Sequence, residues 1–153
     1  MAEDYVSAVN DVISVCRDAE EGFRSAAEAV KDAGLKRIFE QYSQQRATFA
    51  AQLQQALQGT GREADNPSGV GGKMHGAWIK LKGALTGHSE HQILAETERG
   101  EDYSVSTYRD ALGKNLPPNL KTIVQEQFAL VQQAHDKIRT LRDSTAHEPV
   151  GSR

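Results

Sequence analysis

Cysteine and tryptophan each occur once in the 153 residues, and proline only four times. One thiol, Cys16, cannot close a disulfide within the chain, which excludes a cross-linked scaffold and fits a reducing compartment. No charge of one sign dominates: 18 Lys and Arg stand against 21 Asp and Glu, a net charge of −3. That balance supplies no electrostatic reason to expect nucleic acid as a partner. No apolar run reaches transmembrane length. The opening "MAEDYVSAVND" is acidic and lacks the basic and apolar regions of a signal peptide. A soluble cytoplasmic protein is the expectation.

Glycine and proline gather near Gly34, through "GTGREADNPSGVGG" at 59–72, and at "GKNLPP". Between these breaks the apolar residues recur at helical spacing, and no alternating run argues for a strand. The first helix, about 4–31, carries Val6, Val9, Ile13, Cys16, Phe23, Ala27 and Val30 on one stripe. The second, about 34–58, uses Leu35, Phe39, Tyr42, Phe49, Leu53 and Leu57. The third, about 89–113, has Ser89 as N-cap and Gly113 as stop, with Leu94, Val105, Tyr108 and Leu112 inward. The fourth opens at Pro117–Pro118 and uses Leu120, Val124, Phe128, Val131, Ile138 and Leu141.

Loop length turns four helices into a topology. Short links make hairpins of helices one and two and of helices three and four. The crossover 59–88 is too long for a turn between neighbours, and can run the length of the bundle. It holds a short amphipathic segment, "KMHGAWIKLKGAL", with Met74, Trp78, Leu81 and Leu85 on one side. The expected fold is all-α: one four-helix bundle over 1–145, two antiparallel hairpins, and a disordered tail at 146–153.

Four polar residues interrupt the stripes. Glu20 lies seven residues from Ile13 and Ala27, and Arg46 lies between Tyr42 and Phe49. Glu101 lies seven residues from Leu94 and Tyr108, and His135 lies between Val131 and Ile138. Counted from the loops, the first three sit at one height and His135 within about a turn of it. Glu21 is the alternative to Glu20. Glutamate is rarely buried without a partner, so Glu101 requires an internal counter-charge.

The segments "CRDAEEGFRSAAEAV", "FEQYSQQRATFAAQL", "HGAWIKLKGALTG", "ILAETERGEDYSVSTY" and "AHDKIRTLRD" resemble an uncharacterised bacterial ferritin-like family of four-helix-bundle proteins. The resemblance spans 5–143 and implies a ferritin-like fold without a settled activity. The wider superfamily, with rubrerythrins and bacterioferritins, holds two irons with one Glu from helices one and three and Glu-x-x-His from helices two and four. Against that pattern Glu20 or Glu21, Glu101 and His135 match. Arg46, Phe49 and Gln132 stand where three other ligands belong.

Arginine neither loses its proton nor ligates a metal. A buried network of Glu20, Arg46, Glu101 and His135 in place of the di-iron site is therefore expected, with no catalytic residue and no cofactor. The superfamily alone implies a stress-related role, and superfamily habit together with Trp78 points to a homo-oligomer such as a dimer. The first alternative is a degenerate metal-binding or redox protein that holds iron or another divalent ion through Glu20, Glu21, Glu101 and His135. The second is an adaptor or membrane-surface protein acting through the crossover helix, where Trp78 sits among Lys73, Lys80 and Lys82. Packing of that helix on the bundle is the simpler reading.

Other features carry less. "SGVGGKM" faintly resembles a phosphate-binding loop but lacks the first glycine and a preceding strand. His88 and His91 read as solvated polar residues, His75 and His147 have no partner spacing, and Cys16 reads as a small core residue.

Overall fold

The computed structural model describes residues 2–60, 78 and 88–145, with side chains from Tyr5 onward. Four helices account for nearly all of them: α1 Ala2–Ala29, α2 Ala33–Gly59, α3 Glu90–Leu112 and α4 Pro118–Thr145. No strand occurs among the described residues. The helix expected around 73–85, "SGVGGKM", His75, His147 and the tail 146–153 lie outside the described residues, apart from Trp78, which is helical.

Local chemistry sets the helix ends. Asp32 caps α2 by accepting from the Leu35 amide at 2.8 Å. Ser89 and Gln92 cap α3 reciprocally: the Gln92 amide donates to Ser89 Oγ at 3.1 Å, and the Ser89 amide donates to Gln92 Oε1 at 2.9 Å. Gly113 ends α3 as expected, with an ordinary right-handed φ of −79°. Pro118 begins α4, where its missing N–H costs nothing.

Helices α1 and α2, α3 and α4, α1 and α3, and α2 and α4 pack side by side. Helices α2 and α3 therefore face each other across the bundle centre. The α1–α2 loop and the start of α3 lie at one end, because the Asp32 amide donates to Glu90 Oε2 at 3.1 Å. The crossover thus returns the chain to the end where α2 began. The core forms two apolar clusters. One holds Val9, Val12, Ile13, Leu53, Leu57, Tyr108, Leu120, Val124 and Val131. The other holds Phe23, Phe39, Trp78, Ile93, Leu94 and Ile138.

Trp78 is fully buried, against the edge-on Phe23 ring at a 5.1 Å centroid distance, and its indole N–H donates to Ser104 Oγ at 3.2 Å. The largest apolar side chain of the crossover is spent on the bundle and presents no surface for a membrane or a second subunit. No described helix is long and apolar enough to cross a membrane.

Candidate site: a buried arginine and a surface histidine cluster

Arg46 and Glu101 meet in the bundle centre, both fully buried. Arg46 Nη1 and Nη2 donate to Glu101 Oε1 and Oε2, each at 2.6 Å, a bidentate fork across the diagonal from α2 to α3. Arg46 Nε donates to Gln45 Oε1 at 3.1 Å, and the guanidinium lies 5.3 Å from the Phe23 ring centroid. Burial disfavours the guanidinium charge, but Glu101 more than offsets this and raises the arginine pKa.

The other two residues of the expected network are elsewhere. Glu20 sits at the edge of the α1 face and accepts from Arg24 at 3.0 Å and Arg17 at 3.4 Å on its own helix. Its backbone carbonyl accepts from Ser43 Oγ at 2.8 Å, which brings α2 against its main chain instead of its carboxylate. Glu21 is exposed. Ala19, fully buried, holds the inward position of that turn. His135 likewise yields the interior to Ala134, which is 1% exposed.

His135 lies instead on the α3/α4 seam. Its Nε2 is 2.6 Å from Asp102 Oδ1 and 3.6 Å from Glu98 Oε2, and its Nδ1 is 3.1 Å from Asp136 Oδ1. Burial opposes a charge on this imidazole, yet the hydrogen bonds to Asp136 and Asp102 and the nearby Glu98 outweigh it and raise the pKa. Glu98 Oε1 accepts from Arg142. His91 is half-buried rather than simply solvated, with Nδ1 3.1 Å from the Arg142 carbonyl and 2.9 Å from Thr145 Oγ1 at the end of α4.

A further polar chain escaped the sequence reading. The Tyr108 hydroxyl donates to Gln127 Oε1 at 2.7 Å, and Gln127 Nε2 donates to Gln52 Oε1 at 3.0 Å and the Phe49 carbonyl at 3.3 Å. Since the only hydroxyl proton of Tyr108 goes to Gln127, the Cys16 thiol, 3.2 Å away, is the donor in that contact. The three-residue step from Val124 to Gln127 was the available signal, hidden because Phe128 fits the stripe equally well.

Burial pushes the Cys16 thiol up to about 11, so little thiolate exists near neutrality. The native protein should leave Cys16 unmodified by a polar thiol reagent at pH 8, and denaturant should release one reactive thiol. Rapid labelling without denaturant would contradict this burial.

The di-iron site that the resemblance implies fails on its donor set. Glu101 already spends both oxygens on a cation, Glu20 is held by two surface arginines, His135 points to Asp102, and Arg46 occupies the centre. The interior does not fit two irons.

The bundle is similar to the crystal structure of a two-domain protein containing DJ-1/ThiJ/PfpI-like and ferritin-like domains from Anabaena variabilis, with a TM-score of 0.80 at 15% identity. The likeness covers 98% of this chain and 42% of that one, so this chain spans about two-fifths of that protein's length. At that identity it establishes the fold, a ferritin-like bundle, and nothing about activity. No curated protein matches the sequence. Residues 4–114 match the family described as a domain of unknown function, DUF2383, and the chain belongs to that family.

Proposed function

We infer that the protein is a non-catalytic, cytoplasmic ferritin-like bundle in which the Arg46 guanidinium takes the place of the superfamily's metal cations. The observation that carries this reading is the bidentate Arg46–Glu101 pair, buried to 0% exposure at the bundle centre. A fixed organic cation satisfies the inward glutamate permanently, which removes the open coordination position that iron chemistry needs. The lone buried Cys16 supports a reducing compartment. A homo-oligomer and a stress-related role remain superfamily-level proposals. Sedimentation at high concentration showing only a species near 16.7 kDa would remove the first.

The test is the iron content of protein purified without chelator or affinity metal, read together with X-ray absorption. The expected result is no iron–iron scattering and no acceleration of ferrous oxidation by the protein. Two irons per chain with an iron–iron vector would overturn the reading.

A further inference from the structure

We propose that Glu98, Asp102 and His135 form a site for one first-row divalent cation on the α3/α4 seam, outside the bundle interior. Glu98 and Asp102 are four residues apart on α3 and so share one helix face, and His135 of α4 faces both. One ligand atom from each lies within 4.8 Å of the other two. A tetrahedral ion with bonds near 2.1 Å spaces its ligands about 3.4 Å apart. The 3.6 Å from Nε2 to Glu98 Oε2 already meets that spacing, and exposed Asp102 has room to retreat from 2.6 Å.

The imidazole is oriented for ligation. Its Nδ1 faces Asp136 Oδ1 at 3.1 Å, which holds the proton on Nδ1 and turns Nε2 toward the two carboxylates. Histidine ligands are commonly fixed through their other nitrogen in this way. Glu98 is only 8% exposed, so one ligand is supported by packing. Its second oxygen is held by Arg142, leaving Oε2 directed at the imidazole.

The ligand set selects the class of ion. One imidazole and two carboxylates suit zinc, manganese or ferrous iron, whereas calcium requires more oxygen ligands than this seam offers. Three protein ligands leave a coordination position for water. His135 Nε2 and Asp102 Oδ1 lie 2.6 Å apart, so any proton they share leaves when the cation binds.

Titration of the chelator-treated full chain with Zn²⁺ by calorimetry, and with Co²⁺ by visible absorption, tests the site. The expected result is one saturating equivalent, with affinity at least tenfold weaker in both His135→Ala and Asp102→Asn and unchanged in His88→Ala. Asp102 is exposed, so its variant folds regardless of the fate of His135→Ala. The proposal is overturned if binding does not saturate by about 1 mM, or if it survives either Asp102→Asn or a folded His135→Ala. Failure would leave the reading of the interior standing, because neither Arg46 nor Glu101 belongs to the seam site.

Discussion

Arg46→Ala is expected to lose about 3–5 kcal/mol of stability at pH 7, because it leaves a carboxylate in the bundle centre without its cation. Chemical denaturation with and without the substitution measures this directly. The loss should shrink as the pH falls. A buried carboxylate without a partner keeps its proton to higher pH than one in water. The folded variant then binds a proton that its unfolded chain releases, so acid favours the folded variant and neutral pH disfavours it. The difference from the parent should therefore be largest at pH 7–8 and smaller near pH 5.

Replacing both partners separates the worth of the pair from the cost of breaking it. Arg46→Met with Glu101→Leu removes both charges and keeps most of the volume. Exchanges of this kind in other buried ion pairs are often neutral or stabilising. The double variant should recover most of the stability that Arg46→Ala loses. If Arg46→Ala unfolded like the parent at every pH, the pair would contribute nothing and the proposed substitution of cation for metal would lose its basis.

Trp78→Ala should cost a similar amount, about 3–5 kcal/mol, since it empties a fully buried indole site and leaves Ser104 Oγ without its donor. Gly100→Ala probes the same contact from the other side. A Cβ at Gly100 would lie 2.5 Å from Trp78 Cε2 and 2.6 Å from Cδ2, so the ring must leave its seat. Alanine gains about 1 kcal/mol over glycine in a helix interior, but displacing a close-packed ring typically costs about 1–3 kcal/mol. Net destabilisation is expected. Trp78 is the only tryptophan, so its emission should shift to the red as water reaches the ring. A more stable Gly100→Ala with unchanged emission would show that the indole does not pack on this helix.

Much of the architecture was legible in the sequence because it depends on period and length. The stripes of Leu53, Leu57, Val124 and Val131 mark helices without reference to any neighbour, and all four side chains are fully buried. The short "GKNLPP" link leaves no topology for α3 and α4 except an antiparallel pair, and the thirty-residue crossover separates the hairpins. The inward direction of Arg46 and Glu101 was legible for the same reason, since Arg46 lies one turn from Tyr42 and Phe49 and Glu101 lies two turns from Leu94 and Tyr108.

What the sequence by itself could not decide was the choice between adjacent positions at the edge of a stripe. At ~100° per residue, His135 lies about 40° to one side of Val131 and Ala134 about 60° to the other. Either can point inward, and periodicity alone scores them alike. The tertiary structure chose Ala134 and turned His135 toward Asp102. It likewise buried Ala19 and left Glu20 to Arg17 and Arg24. The physical reason is packing: a small side chain fits where helices approach closely, while a charged one at the seam keeps part of its hydration and finds partners. Helical period therefore determined which helices form and which faces they bury. Contact between helices decided which polar groups met, joining Arg46 to Glu101 and His135 to Glu98 and Asp102.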